Sequence, residues 1–471
     1  MYEKIRKLHF VGIGGIGMSG IAELMINLGY QVSGSDPVAN ARTQRLVELG
    51  AVIQTAHDAQ NVLGADVVIR SSAVGCDNPE IQAARNYNIP VAKRAEMLAE
   101  LMRIKYGIAI AGTHGKTTTT SMVASILGEA GMDPTIVNGG IVKALNSNAR
   151  LGSGDFLVAE ADESDGTFLK LFPTIAVVTN IEPEHMEHYG TIDALRGAFF
   201  GFLEKIPFYG LGVVCRDHPE TRALLPLLSD KRMVGYGFDA GSDIQAVSLE
   251  RRQQRNCFTI LRKTPITGTM VALGELHLAQ PGNHNVLNAL AAVAVALELD
   301  IEWPVIVAAM DHFKGVQRRF DILLDGPDRS VIDDYAHHPT EIMATLKAAR
   351  EVYPPERRIV AIFQPHRYSR LAHLFEEFLR AFTNASLVFV DRVHSAGERM
   401  PEDRFPQGER APLMEGIRLH SGVPTLALPA GENWREALEG YLDSGDVLVF
   451  LGAGSITHRA RDYAGSWSKV S

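Results

Sequence analysis

The stretch that decides the fold reads Tyr106-Gly107-Ile108-Ala109-Ile110-Ala111-Gly112-Thr113-His114-Gly115-Lys116-Thr117, followed by Thr118, Thr119 and Thr120. A short apolar run closed by glycine reads as a buried strand of a parallel sheet. The glycines permit a tight turn, and a helix follows from Lys116. Backbone N–H groups of such a loop surround phosphate oxygens, Lys116 neutralises the β/γ charge, and the Thr117 hydroxyl ligates Mg²⁺. The general P-loop places a glycine five residues before the second one, and position 110 is isoleucine, so this loop is shorter than that pattern.

A second glycine cluster lies upstream. Leu8-His9-Phe10-Val11 runs into Gly12-Ile13-Gly14-Gly15-Ile16-Gly17, a G-x-G-x-x-G turn between strand and helix. Gly14, Gly15 and Gly17 allow close backbone approach, and the helix N-terminus offers N–H groups to a diphosphate. Asp36 follows where an acidic residue meets a ribose hydroxyl. A nicotinamide dehydrogenase uses the first turn and leaves the Gly112–Thr117 loop unexplained. An enzyme that spends ATP on a nucleotide-linked substrate uses both.

Downstream, Phe156-Leu157-Val158-Ala159 leads into Glu160-Ala161-Asp162-Glu163-Ser164-Asp165, and Thr174–Thr179 leads into Asn180-Ile181-Glu182-Pro183-Glu184-His185-Met186-Glu187-His188. Parallel strands present their C-terminal ends along one edge, so both acid clusters arrive beside Thr117. A carboxylate at Glu160 or Glu163 suits Mg²⁺, which prefers oxygen. From the residues alone, His185 and His188 read as a solvated helix start. Farther on, Asp333-Asp334-Tyr335-Ala336-His337-His338-Pro339 and Gln364-Pro365-His366-Arg367-Tyr368-Ser369-Arg370 each follow a strand, and arginines there can clamp a carboxylate or phosphate. Adjacent histidines cannot face one way on a regular element, so one of His337 and His338 reads as structural.

The 471 residues predict about three domains. With 46% hydrophobic and 21% charged residues, the composition excludes wholesale disorder. A formal charge of −9 argues against a nucleic-acid binder. Cys76, Cys215 and Cys257 lie far apart, show no metal-type spacing and read as buried small hydrophobes. No run approaches a membrane span, and the charged start Met1–Lys7 shows no signal-peptide pattern, so a cytoplasmic protein without membrane partners is expected.

Short strands alternate with helices in three blocks, which predicts an α/β protein with mainly parallel sheets. The first strands are expected at 8–11, 31–33 and 65–70, with helices at 18–28 and 94–102. The second block carries strands at 106–111, 156–161 and 174–179, with a helix after each. Between 242 and 277 the pattern turns to alternating β, read as an antiparallel addition. The third block carries strands at 359–363, 387–390 and 447–451.

Assembled, these residues resemble the Mur ligases nearly end to end. The likeness rests on Gly12–Gly17, Ser71-Ser72-Ala73, Gly112–Thr117, Glu160–Asp165, Thr179–His185, Gly282-Asn283-His284-Asn285 with Asn288, Arg318-Arg319-Phe320-Asp321, Asp333–Pro339 and Gln364–Arg370. It implies three domains: a Rossmann-like UDP-sugar domain over 1–104, a P-loop ATP domain over 105–314 with mostly parallel sheet plus the antiparallel addition, and a Rossmann-like amino-acid domain over 315–471. It further implies that Gly112, Thr113, His114, Gly115, Lys116, Thr117, Thr118, His284, Asn288 and Asp334 hold ATP. Thr117, Glu160 and His185 would bind Mg²⁺, and Lys116, His185, Arg367 and Arg370 would serve catalysis. Gly14, Gly15, Gly17, Asp36, Ser71, Ser72, Tyr335, His337 and His338 would contact substrate. One departure stands out: the family's Asp-His-Met-Asp is here Glu184-His185-Met186-Glu187, each acid a methylene longer.

The activity implied is ATP-driven amide formation in peptidoglycan precursor synthesis, joining L-alanine to the lactyl carboxylate of UDP-N-acetylmuramate through an acyl phosphate, by a monomer or homodimer. The alternative is a recycling ligase that attaches a tripeptide to the same sugar. A nucleotide-binding regulator would bind ATP without turnover.

Overall fold

The computed structural model describes residues 5–71, 73–143, 147–252, 255–400, 410–429, 431 and 433–467. Three α/β sheets organise the chain. The first contains β1 (Lys7–Val11), β2 (Gln31–Ser35), β3 (Val52–Gln54), β4 (Val67–Arg70) and β5 (Val91–Lys93) in the order β3-β2-β1-β4-β5. All its pairs are parallel. Leu8 and Phe10 point into one core while Val11 joins Val62, Val68 and Ile81 on the other face. Both faces of this sheet are covered, so Leu8 to Val11 are all buried, the polar His9 included.

A polar network ties this sheet together on the Val11 face. Glu80 is fully buried near the start of the helix Pro79–Asn86. Its oxygens accept from Ser35 Oγ at 2.5 Å and Asn61 Nδ2 at 2.6 Å, and lie 2.9 Å from His57 Nδ1 and 3.4 Å from His9 Nε2. Burial pushes the carboxyl up, yet hydrogen bonds from His9, Ser35, Asn61 and His57 together hold it down at about 2.

The second sheet contains β6 (Tyr106–Ala111), β7 (Thr135–Val142), β8 (Ser147–Arg150), β9 (Phe156–Glu160), β10 (Ile175–Val178), β11 (Leu211–Cys215), β12 (Met233–Gly237), β13 (Ile244–Arg252), β14 (Arg255–Lys263) and β15 (Met270–Leu278). Their order is β15-β14-β13-β12-β11-β10-β6-β9-β7-β8. From β7 through β9, β6, β10, β11 and β12 to β13 the neighbouring strands are parallel, and β8 closes the far edge antiparallel to β7. The Lys263 N–H bonds the Asp243 carbonyl at 2.8 Å, which brings the end of β14 to the start of β13 as an antiparallel hairpin does. After β9 the expected α-helix is replaced by a 3₁₀ turn, Thr167–Lys170, because the acidic segment Glu160–Asp165 takes up the connection in turns.

The third sheet contains β16 (Asp321–Asp325), β17 (Arg329–Asp334), β18 (Ile359–Phe363), β19 (Leu387–Val390), β20 (Thr425–Ala427) and β21 (Asp446–Leu451), ordered β16-β17-β21-β18-β19-β20. Only β16–β17 is antiparallel. Ile359, Ala361 and Phe363 enter one core, and Val360 and Ile362 the opposite one.

Contacts group the chain into two compact units. One holds the first two sheets, and the other holds 315–471 with two short segments, Arg251–Asn256 and Ala279–His284. In the first unit a single core runs from Leu8 and Phe10 through Met97, Leu98 and Met102 of the helix Arg94–Ile104 to Phe168 and Phe199. Among the described residues no helix is long and apolar enough to cross a membrane.

Candidate functional site

The Gly112–Lys116 loop leaves β6 and enters the helix Lys116–Glu129. Gly112 and Gly115 hold φ of +130° and +85°, in the region that favours glycine. A Cβ on Gly112 would stand 2.0 Å from Thr179 Oγ1, and one on Gly115 2.5 Å from Asn288 Oδ1. The loop is braced from β10's end: Thr113 N–H donates to the Asn180 carbonyl at 3.0 Å, and His114 N–H to Asn180 Oδ1 at 2.8 Å. Thr118 is buried, and Asn288 Oδ1 accepts from Thr119 Oγ1 at 3.2 Å.

Lys116 Nζ donates to the Gly112 and Thr113 carbonyls at 2.5 and 3.1 Å and to Glu163 Oε1 at 2.9 Å. Burial favours its neutral form, but Glu163, Glu160 and Asp162 outweigh burial and keep it cationic. Burial likewise raises the Glu163 carboxyl. The pair stays ionised, because a charge-assisted bond of this length is strongest with both groups charged. Thr117 Oγ1 donates to Glu160 Oε2 at 2.9 Å, an oxygen that also accepts the Gly139 N–H at 2.9 Å. His185, at φ +57°, brings Nε2 to 4.0 Å from Glu163 Oε1, and burial lowers its pKa, leaving a neutral imidazole at pH 7.

Among the described residues, Glu163 Oε2 is buried with no hydrogen-bond partner. An orphaned carboxylate oxygen beside a hydroxyl and a second carboxylate is a donor set that fits a hard divalent cation.

The Gly12–Gly17 turn has its own bracing. Gly14 N–H donates to Asp36 Oδ2 at 2.8 Å, Val38 N–H to Asp36 Oδ1 at 3.0 Å, and Arg42 Nε to the Gly14 carbonyl at 2.7 Å. Asp36 thus holds the turn's shape with both oxygens. Gly15 precedes the helix Ile16–Asn27 without a side-chain cap. A Cβ on Gly17 would meet Arg94 Nη1 at 2.7 Å.

Beside this turn, Ser71 lines a cavity of about 250 Å³ with Arg70, Lys93, Arg94, Asp165, Thr167 and His188. Arg94 Nη2 also donates to Asp162 Oδ2 at 3.0 Å. Burial pushes the Asp162 carboxyl up, but Arg94 and Lys116 more than offset it and hold it low. Ser72 lies outside the described residues. Sequence reasoning missed Arg70, Lys93 and Arg94. Their signal was their place at the C-terminal ends of β4 and β5, the edge where ligands of parallel sheets bind.

In the other unit, Asp334 closes β17. Its oxygens accept the Phe320 and Ala336 N–H groups, each at 2.7 Å, and burial raises its carboxyl to about 6. The Tyr335 ring lies 4.6 and 5.0 Å from the guanidinium carbons of Arg318 and Arg319. Arg318 also donates to the Gly452 carbonyl at 2.6 Å, which ties it to the residue that follows β21. His337 Nδ1 lies 2.9 Å from the Tyr335 carbonyl oxygen, while the His338 ring accepts the Thr340 N–H at 3.4 Å and caps the helix Pro339–Val352.

After β18, His366 stacks on His394 at 5.3 Å, with Arg370 Nη1 3.4 Å from His366 Nδ1. Burial, with His337, Arg370, His394 and Arg367 nearby, drives His366 down to about 3. Arg367 sits at φ +65° before the helix Tyr368–His373. His284 belongs to the first turn of the helix Asn283–Glu298, which also carries Asn288.

The structure therefore gathers Gly112–Thr117, Glu160, Glu163 and His185 around one phosphate loop, and Tyr335, His337, His366 and Arg370 at strand ends of the third sheet. Each domain also matches a family description. Residues 7–106 match the "Mur ligase family, catalytic domain", 110–296 the "Mur ligase middle domain" and 318–454 the "Mur ligase, glutamate ligase domain".

The chain belongs to the Mur ligase family.

Among Mur ligases, it is 56% identical over 470 residues to the UDP-N-acetylmuramate–L-alanine ligase of Magnetococcus marinus, covering 100% of this chain and 98% of that one. The crystal structure of the UDP-N-acetylmuramate-alanine ligase of Thermotoga maritima is 31% identical with a TM-score of 0.81, covering 99% of this chain and 100% of that one. A murein peptide ligase from Psychrobacter arcticus shares the fold at 24% identity, with a TM-score of 0.71 over 98% of this chain and 99% of that one.

Proposed function

We propose that this Mur ligase uses ATP to drive amide formation, joining L-alanine to the lactyl carboxylate of UDP-N-acetylmuramate and releasing ADP and phosphate. The observation that carries the reading is the end-to-end 56% identity to an alanine-adding ligase. The solved alanine ligase also exceeds the peptide ligase in identity and TM-score, so the tripeptide-adding reading is not favoured.

The chemistry follows from charge. A carboxylate is a poor electrophile, so its oxygen first attacks the γ-phosphorus, ADP leaves, and the resulting acyl phosphate presents an activated carbonyl. The alanine amine then attacks that carbonyl, the C–O bond to phosphate breaks, and the amine proton is lost to solvent or base. In our reading Gly112–Thr118 cradle the ATP phosphates, Lys116 neutralises their charge, and His284, Asn288 and Asp334 contact the nucleoside. Thr117, Glu160 and His185 would hold Mg²⁺, with Glu163 adding an oxygen; the ion supplies charge neutralisation at the phosphates. Gly14, Gly15, Gly17 and Asp36 shape the turn toward the UDP-sugar, with Ser71 and Ser72 beside it. Arg367 and Arg370, with Tyr335, His337 and His338, position the amino acid and reacting carboxylate. The domains would divide these tasks as 1–104, 105–314 and 315–471. Substrates of this kind support a cytoplasmic location.

The test is ADP release with UDP-N-acetylmuramate and, in turn, L-alanine, D-glutamate, the tripeptide or no acceptor. Release with L-alanine above the others supports the reading. Equal release without acceptor, or a preference for tripeptide, overturns it.

A further inference from the structure

We propose that Cys257, Glu275 and His277 form a binding site for a borderline-soft divalent cation of the Zn²⁺ class on the outer strands of the second sheet. One ligand atom from each residue lies within 4.8 Å of the others. The arrangement follows from strand alternation. Phe258 and Ile260 of β14 and Leu276 and Leu278 of β15 are buried on one face, which leaves Cys257, Glu275 and His277 to the other.

The thiol is 5% exposed and forms no disulfide, while the Glu275 and His277 side chains are 41% and 44% exposed. His277 Nε2 stands 2.8 Å from Glu275 Oε1. Sulfur, imidazole and carboxylate are the donors Zn²⁺ takes, three from protein and a fourth from water.

Tetrahedral bonds of about 2.0–2.3 Å set neighbouring donors about 3.3–3.8 Å apart. Closing from 4.8 Å needs only rotamer changes at two half-exposed side chains. On binding, the Cys257 proton passes to solvent and the thiolate takes the metal. The site would join β14 to β15 and fix an edge that, among the described strands, is paired on one side only. It lies outside the phosphate-loop chemistry and does not depend on the proposed activity.

Co²⁺ is the probe, titrated into the untagged full-length protein and followed by its sulfur-to-cobalt charge-transfer absorbance. The described donors around the phosphate loop are oxygen and nitrogen, so Co²⁺ held there is silent in this band. One equivalent producing the band, its loss in His277→Ala and Cys257→Ser, and its retention in Cys76→Ser support the site. Absence of the band at saturating Co²⁺, its survival in His277→Ala, or its loss in Cys76→Ser overturns it. Should Cys257→Ser fail to fold, as its circular dichroism would reveal, His277→Ala on the exposed face decides the matter alone.

Discussion

Glu80→Gln keeps the shape of a buried side chain and removes its charge, which isolates what the carboxylate does for the first sheet. Folded, the group titrates at about 2; its ordinary value is 4.5. Because the folded value is the lower one, the unfolded chain binds the extra proton, and stability falls as pH drops from 4.5 toward 2. The gap corresponds to about 3.4 kcal/mol at neutral pH, of which about 0.8 is gone at pH 4 and about 2 at pH 3. Glutamine, moreover, turns an acceptor toward Ser35 and His57 into a donor. Urea unfolding followed by circular dichroism at pH 7, 4 and 3 should show the variant less stable by about 3 kcal/mol at pH 7, with the difference shrinking on acidification. A difference that stays constant from pH 7 to 3 would refute the reasoning, since the groups facing Glu80 (His9, His57, Ser35 and Asn61) would then stabilise it no more as an anion than as an acid.

Lys116→Ala should cut ADP release by about 10²–10³-fold while UDP-N-acetylmuramate still binds by calorimetry; loss of both in a folded variant would contradict separate nucleotide and sugar sites. Arg94→Ala, beside the cavity that Ser71 lines, should raise the KM for the UDP-sugar about tenfold with kcat little changed, read by steady-state kinetics. Gly115→Ala forces a side chain into φ +85° and against Asn288, and should lower stability by about 1–3 kcal/mol and weaken ATP protection in thermal unfolding. His366, neutral down to about 3, should show no imidazole titration by NMR between pH 5 and 8. Its unfolded form takes a proton below pH 6.5, so this residue makes stability rise with pH between about 3 and 6.5.

The strands that the sequence made legible are those covered on both faces. β6, β18 and β19 fall on the predicted residues, because beyond the exposed Tyr106 every residue of these strands is buried on one face or the other. The three-residue strands β3, β5 and β20 escape, being too short to show a period. β7 escapes because Asn138-Gly139-Gly140 interrupts its apolar pattern, and Gly139 is needed there: a Cβ would stand 2.5 Å from Glu160 Oε2. Around the phosphate loop, residue type and strand order were enough to gather Lys116, Thr117, Glu160 and Glu163, whereas His185 reads from the residues alone as a solvated helix start and stands instead 4.0 Å from Glu163. The roles of Asp36 and His338 as local braces were not legible, since they depend on which backbone N–H each side chain happens to face. The Glu80 network joins residues dozens of positions apart and leaves no local trace.

The candidate chemical groups cluster where a strand ends and its loop begins: Arg70 and Lys93 close β4 and β5, Glu160 and Asp334 close β9 and β17, and Lys116, His185, Arg367 and Arg370 lie just past β6, β10 and β18. Scaffold and reactivity therefore occupy nearly separate parts of the chain. Substitutions in the connecting residues change which groups meet a ligand and leave the apolar ladders beneath in place, so chemistry can vary on a constant form.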